Sequence, residues 1–227
     1  MEYVEVARSE SERGEVVLRE RHDPDAGENA PRVLELRVNG VFVMDTAETE
    51  SEKRLATTAL DSVADPRAVV VGGLGLGFTV HEVLADTRVE RLVVVEVEDA
   101  LVRWMRDGTV PHGPAFLADE RLSVVTADIR VAIGEATRGA YDLVLLDVDN
   151  GPGFLVYDDN AAVYREPFLA QVAEVLRPGG KVVVWSAAES EPLAEAMRDV
   201  FGSVRALPYE VTLQDRDERY WLYLSGV

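Results

Sequence analysis

The stretch Ala68-Val69-Val70-Val71-Gly72-Gly73-Leu74-Gly75-Leu76-Gly77-Phe78-Thr79 sets the reading of the whole chain. Three consecutive valines favour a strand, because side chains branched at Cβ pack well on a pleated surface. The glycines that follow tolerate positive φ and let backbone approach a ligand closely. A helical pattern leaves the bend, and its first amides face whatever sits beyond it. A second apolar run, Leu92-Val93-Val94-Val95, closes on Glu96. In α/β units that bind nucleotides, an acid at that place holds ribose hydroxyls. Bend and acid together predict a nucleoside-containing ligand. A tight strand-to-helix turn with no ligand is the plainer alternative, and Glu96 at this distance disfavours it.

Around that stretch strands alternate with helices. Strands are predicted at 68–72, 92–96, 122–126, 142–147 and 180–185, with helices near 77–86, 98–107, 129–137, 160–176 and 190–201. Nearly unbroken apolar strands such as Leu143-Val144-Leu145-Leu146 suit a parallel sheet covered on both faces. The turn Leu176-Arg177-Pro178-Gly179-Gly180 stops a helix and starts a strand. Val204–Leu207 and Tyr220–Leu224 have no helix between them, so they should pair antiparallel, with Gln214–Arg219 as a charged tip. Ahead of Arg67 the pattern differs. Val4–Ala7 and Glu15–Arg21 alternate as strands, His22–Pro31 is a polar loop, and Val33–Arg37 and Val41–Met44 flank the hairpin signal Asn39-Gly40. Glu48–Ser62 reads as a helical bridge. The expected fold is α/β: a Rossmann-like, doubly wound, mostly parallel seven-stranded sheet with an antiparallel C-terminal hairpin, preceded by a small N-terminal antiparallel β unit. The expected divisions are 1–47 for the β unit, 48–66 for the bridge and 67–227 for the nucleoside-binding domain.

The spacing of the glycines separates three kinds of nucleoside ligand. A triphosphate loop of the G-x-x-x-x-G-K-[ST] type fits Gly72, Gly77 and Thr79, but Phe78 stands where lysine is required. A dinucleotide fingerprint fits Gly73 and Gly75 and again meets Phe78, at the third glycine position. No basic residue lies in the loop to meet a pyrophosphate. What remains is a nucleoside without phosphate, such as S-adenosylmethionine or its decarboxylated form, whose sulfonium suits a neutral loop in an acidic protein.

Composition narrows the partners. The formal net charge of −19 argues against nucleic acid and anionic membrane surfaces, which reward Lys and Arg, and favours a cationic small molecule such as an amine. With hydrophobic residues at 47% and charged ones at 29%, the chain has the balance of a soluble globule rather than a disordered one. There is no cysteine, hence no disulfide, thiolate metal ligand or cysteine nucleophile. His22, His81 and His112 show no metal-ligand spacing, and no metal is expected. No apolar stretch is long enough to span a bilayer, and a cytoplasmic location is the expectation.

In an open α/β sheet, ligands bind beyond the carboxyl ends of the strands. Those ends carry the glycine loop, Glu96, Asp128 and the run Asp147-Val148-Asp149-Asn150-Gly151. Carboxylates closing apolar strands are costly to desolvate unless paired. Asp128 alone could be a helix N-cap, but four acidic strand ends at one sheet edge exceed what capping explains.

These blocks, with Tyr141–Asp147, Tyr164 and Leu176–Gly180, resemble class I S-adenosylmethionine-dependent transferases, and more narrowly the spermidine synthase family, whose members also carry an N-terminal β unit with a comparable hairpin. The resemblance implies that Gly73, Gly75 and Gly77 lie under the nucleoside and that Glu96 binds its ribose. It places Asp128 at the adenine, and Asp147 near the sulfonium and the acceptor. It also implies a homodimer. Three positions depart from the family. Leu74-Gly75-Leu76 lacks the loop aspartate that holds the aminopropyl donor's amine. The Asp-Ser-Ser-Asp-Pro segment reads Asp147-Val148-Asp149-Asn150-Gly151, so the base becomes Asn150 or shifts to Asp149. Asp45–Lys53 has no clear counterpart of the D-E-x-x-Y run.

The expected activity is transfer of a carbon group from the sulfonium to an amine on a small molecule, with Asp149 as base and Asp147 as electrostatic partner. Methyl transfer is slightly favoured over a true polyamine aminopropyl transfer. A non-catalytic, nucleoside-binding dimeric scaffold is the alternative of another class. Trp104 and Met105 read as core, and Ser186 lacks a hydrolase elbow. Phe154, Tyr157 and Tyr164 suit an acceptor pocket or packing equally.

Overall fold

The computed structural model describes residues 2–22, 32–213 and 216–227. Of the polar loop expected over His22–Pro31, only His22 falls among the described residues. The N-terminal unit is a four-stranded antiparallel sheet of β1 (Glu2–Ser11), β2 (Gly14–His22), β3 (Val33–Val38) and β4 (Val41–Asp45), in that order. Asn39 and Gly40 have φ of 50° and 75°, the paired positive values of a two-residue hairpin turn. The Asn39 side chain also ties this turn to the neighbouring hairpin. Its Oδ1 accepts from the Glu15 amide at 3.0 Å, and its Nδ2 donates to the Arg13 carbonyl at 3.1 Å. A Cβ on Gly14, itself at φ 115°, would overlap that side chain.

The bridge is α1 (Glu50–Asp61), which buries Leu55, Ala56, Ala59 and Leu60 along one face. Beyond it lie β5 (Ala68–Gly72), α2 (Phe78–Ala85), β6 (Arg91–Glu96), α3 (Asp99–Asp107), α4 (Gly113–Phe116), β7 (Leu122–Thr126), α5 (Ile129–Glu135) and β8 (Tyr141–Leu146). A 3-10 segment, Asp158–Tyr164, then leads into α6 (Glu166–Val175), β9 (Leu176–Ser186), α7 (Glu191–Phe201), β10 (Arg205–Leu213) and β11 (Arg216–Gly226). The sheet order is β10-β11-β9-β8-β5-β6-β7. Pairings from β9 through β7 are parallel, and those of β9 with β11 and β11 with β10 are antiparallel.

The unbroken apolar strands conceal a two-residue period. On β5, Val69 and Val71 belong to the core beneath α1, α2 and α3, whereas Ala68 and Val70 belong to the core beneath α5, α6 and α7. Leu143 and Leu145 of β8 face the first core, and Val144 and Leu146 the second. Both faces are therefore apolar because both are covered. Buried Asp142 fixes register: it accepts from the Ala68 amide at 2.7 Å and from Arg177 at 2.9 Å.

Four expectations need correction. The helix expected over 160–176 is broken at Arg165, whose extended backbone (φ −113°, ψ 157°) separates the 3-10 segment from α6, with Pro167 in the first turn of α6. Strand β9 starts at Leu176, opposite Tyr141, and resumes its ladder at Lys181 after an irregularity. The tail strands run far past 204–207 and 220–224, pairing from Arg205–Leu224 to Leu213–Arg216. Arg216–Arg219 is therefore strand, with Arg219 donating to Glu210 across the ladder at 2.7 Å; the rest of the expected tip lies outside the described residues. The short α4 carries no periodic signal in the sequence. No helix among the described residues is long and apolar enough to cross a membrane.

Asn39→Ala removes two inter-hairpin hydrogen bonds and forces a Cβ-bearing residue without a polar side chain to hold positive φ. The expected loss is roughly 1–2 kcal/mol, read as a lower urea midpoint at unchanged slope.

Candidate active site

Strand order reverses between β5 and β8, and the crevice this leaves at the strands' carboxyl ends is where open α/β sheets bind ligands. A cavity of about 380 Å³ lies there. Its walls come from the glycine bend, the ends of β6 and β8, the start of α1, the β4 side of the N-terminal sheet, and aromatic residues of β9 and β11.

Of the residues singled out in the sequence, Gly73, Gly75, Glu96, Asp147 and Asp149 line this cavity. Gly73, at φ 98°, lies so close to the Asp147 backbone that a Cβ would overlap the Asp147 carbonyl oxygen. Glu96 is buried (7% exposed) and accepts from the Leu74 amide at 2.9 Å and the Glu98 amide at 2.8 Å. Burial pushes its carboxyl above the usual range, against those two bonds. Asp147 accepts from the Thr79 hydroxyl at 3.0 Å, and burial pushes it up to about 6. Asp149 accepts from the Val156 amide at 2.9 Å and from Asn160 Nδ2 at 2.8 Å; burial raises it too.

Gly77 and Asp128 are not among the lining residues. Gly77 takes φ 87° to start α2, and a Cβ there would meet Met105 and Phe116. Asp128 caps α5 by accepting from the Arg130 amide at 2.8 Å, and its carboxylate pairs with the Arg130 guanidinium at 2.6 Å, which holds its pKa below the usual range. Asn150 lines the cavity but donates to the Phe42 carbonyl at 3.0 Å, tying this loop to the N-terminal sheet.

Sequence reasoning missed the wall contributed by α1 and the residues before it. Glu48, Ser51 and Glu52 face the cavity from the segment in which no family counterpart was found. Ser51 Oγ lies 3.1 Å from Glu48 Oε2 and 2.8 Å from Glu52 Oε2, and its one proton serves one of them at a time. Burial first, then the charges of Asp147 and Glu48, push the Glu52 carboxyl up to about 8. The available signal was the acid-rich run Glu48, Glu50 and Glu52 at the entry to the predicted bridge helix. Trp185 and Tyr220 also line the cavity, edge to face at 5.0 Å, with Trp185 Nε1 donating to the Tyr209 hydroxyl at 2.8 Å.

The lining holds eight carboxylates: Asp45, Glu48, Glu52, Glu96, Glu98, Asp147, Asp149 and Glu218. It holds no Lys, Arg or His among the described residues. Arg21 reaches Asp45 at 2.9 Å and Arg13 reaches Glu98 at 3.5 Å, neither from a position on the cavity wall.

The remaining candidates serve structure. His81 stacks on Phe116 at 4.1 Å, and His112 Nε2 lies 2.8 Å from the Leu76 carbonyl oxygen. The Ser186 hydroxyl donates to the Ala188 carbonyl. Trp104 and Met105 are core. Phe154 and Tyr157 line the cavity, whereas Tyr164 is packed in the core.

A profile described as the spermine/spermidine synthase domain matches residues 36–205. The chain belongs to this family. Putrescine N-methyltransferase 3 of Nicotiana tabacum is 33% identical over 133 residues, 58% of this chain and 32% of that protein. Polyamine aminopropyltransferase 2 of Pseudomonas aeruginosa is 30% identical over 189 residues, 78% of this chain and 52% of that protein. The chain thus spans about a third to a half of the length of these curated relatives. A spermidine synthase solved with the transition-state analogue AdoDATO superposes with a TM-score of 0.81 at 18% identity, covering 97% of this chain and 73% of that one. The Thermotoga maritima spermidine synthase gives 0.78 at 18% identity, covering 98% and 73%. The shared fold is this two-sheet architecture.

A pH dependence of stability follows from the raised carboxyls. A folded-state pKa above the unfolded one means that the native state holds the extra proton between the two values, so stability falls as pH rises through that window. For Glu52 the window runs from 4.5 to about 8, and for Asp147 from 3.8 to about 6. Unfolding free energy should therefore decline from about pH 5 to pH 8, and the Glu52→Gln, Asp147→Asn double variant should flatten that decline in urea titrations at stepped pH.

Proposed function

We propose that the protein transfers a carbon group from a nucleoside sulfonium, S-adenosylmethionine or its decarboxylated form, to an amine nitrogen on a small molecule. The observation that carries this reading is the cavity wall, with its eight carboxylates, its aromatic face and its lack of Lys, Arg and His among the described residues. Such a wall attracts cations and repels phosphate. An ammonium or sulfonium also gains from the negative faces of Trp185 and Tyr220.

The residues present fit a nucleoside without phosphate. Each Glu96 oxygen accepts one amide hydrogen, and a carboxylate retains further lone pairs for ribose hydroxyls. Gly73 and Gly75 offer backbone without side chains beside it. Gly77 would act beneath the bend, by setting the entry to α2. Asp128 would reach adenine only by sharing its carboxylate with Arg130.

When bound, the sulfonium supplies an electrophilic carbon whose bonding pair leaves with a neutral thioether. The chain's own part is to align the amine and strip its water, and to hold the proton that the amine must lose before it can attack. Asp147, at the cavity floor beside the glycine bend, is suited to accept an N–H from the acceptor. Asp149, through Val156 and Asn160, holds the segment that carries Tyr157 to the wall.

Methyl transfer is the preferred reading of the step. Leu74-Gly75-Leu76 sets no acid against an aliphatic donor amine, and putrescine N-methyltransferase 3 of Nicotiana tabacum aligns at 33% identity over 133 residues. Aminopropyl transfer is the second reading, supported by the lack, among the described residues, of a lining cation to pair a methionine carboxylate.

The test is calorimetric titration with S-adenosylmethionine, decarboxylated S-adenosylmethionine, methylthioadenosine and ATP, followed by product analysis with putrescine. Methylthioadenosine should bind at least about tenfold tighter than ATP, a difference of ~1.4 kcal/mol. N-methylputrescine supports the first reading and spermidine the second; ATP binding as tight as methylthioadenosine overturns both. Asp147→Asn should lower kcat by roughly 10²-fold or more with nucleoside affinity held within about threefold, and unchanged turnover would remove Asp147 from the mechanism.

A further inference from the structure

We propose that Glu52 of α1 is the group that takes the acceptor's proton, working with Asp147, which lines the same cavity, and that Asp149 is a positioning residue. This rests on the amine-transfer reading above and assigns its proton chemistry to a residue outside the strand ends.

The geometry separates the three carboxylates. Both oxygens of Asp149 are engaged by groups of its own loop, the Val156 amide and Asn160 Nδ2. Asp149 therefore holds the 150–160 segment in shape. Asp147 is held by the Thr79 hydroxyl and stands beside the glycine bend. Glu52 projects into the same cavity from the first turn of α1, and among the described residues the side chain that hydrogen-bonds to it is Ser51, its neighbour in sequence.

The surroundings of Glu52 contain acids and phenols. Glu48 flanks it on its own segment, and Asp147 acts on it from the end of β8. From the hairpin side, Tyr209 of β10 and Tyr220 of β11 feel its charge, and Tyr220 also feels Glu218 and Asp45. Arg54, on the same helix, lies over the Tyr209 ring at 5.0 Å and forms no ion pair with Glu52. Carboxylates crowded in one low-dielectric space cannot all ionise, and one of them keeps a proton. The shift of Glu52 to about 8 agrees with that proton resting there.

An alkylammonium entering this cavity replaces that proton as the neutralising charge. Glu52 ionises, and the released proton goes to solvent. The ionised carboxylate then stands opposite the substrate nitrogen. In the transfer step one N–H bond breaks, an O–H bond forms on Glu52, and the electron pair stays on nitrogen for attack. The carbon–sulfur bond pair leaves with sulfur, and the alkylated nitrogen carries the positive charge that sulfur loses. Glu52 returns the chain to its resting state still holding the proton.

The experiment uses the whole chain saturated with methylthioadenosine and titrated with putrescine at pH 7.0, in two buffers of different ionisation enthalpy. Wild type should release close to one proton per putrescine bound. Glu52→Gln should abolish that release, while Asp149→Asn should keep it. In turnover assays Glu52→Gln should lower kcat by roughly 10²- to 10⁴-fold, Glu52→Asp should recover part of it, and methylthioadenosine affinity should stay within about threefold in both as a control for folding. Unchanged proton release or wild-type turnover in Glu52→Gln overturns the proposal. If wild type releases the proton but transfers no group from either sulfonium, the amine-transfer reading fails and the base role of Glu52 fails with it. If wild type does transfer and Glu52→Gln transfers equally well, only Glu52 is wrong.

Discussion

The bond between the Glu96 carboxylate and the Leu74 amide, 2.9 Å long and buried, is the constraint on which the site depends. It joins the end of one strand to the bend that leaves its neighbour. The second oxygen of Glu96 holds the Glu98 amide, so the next segment is held by the same group. The bend can then lie against Asp147, where Gly73 leaves no room for a side chain. Three strand ends thus meet at the bend, and the cavity forms beside them. A buried acid is expensive unless its oxygens are satisfied, and here backbone amides satisfy it.

The charge of the cavity follows from how the two sheets meet. The parallel sheet brings Glu96, Glu98, Asp147 and Asp149 to one cavity, to which the stretch from the end of β4 to the first turn of α1 adds Asp45, Glu48 and Glu52. The arginines of the N-terminal sheet reach some of these acids from positions off the cavity wall, as Arg21 does Asp45. What stays uncompensated is the group around Glu52 and Asp147. A net charge of −19 spread over a surface is largely screened by salt, but carboxylates in a recess with aromatic walls are screened much less.

Much of this was legible in the residue order. The five parallel strands, the hairpin at Asn39-Gly40 and the antiparallel tail came from apolar runs and turn residues, signals local enough to read in a short window. Glu96, Asp147 and Asp149 were legible because each follows an apolar strand, and strand ends converge in this fold. Asp128 satisfied the same rule yet spends its carboxylate on Arg130, two residues on. The break at Arg165 and the full length of β10 and β11 were hidden. The first depends on one residue's backbone, and the second on cross-strand polar pairs such as Arg219 with Glu210.

Sequence alone determined the class of fold and the glycine bend that follows β5, because both depend on what neighbouring residues do to a local backbone. It also set the excess of acid. Only the tertiary structure decided which acids share a space without a cation. Glu52 lies 95 positions before Asp147, and nothing in either neighbourhood points to the other. Their meeting is a product of α1 packing on the sheet face with its first turn at the cavity, and through-space electrostatics at that distance in sequence exists only once the chain has folded.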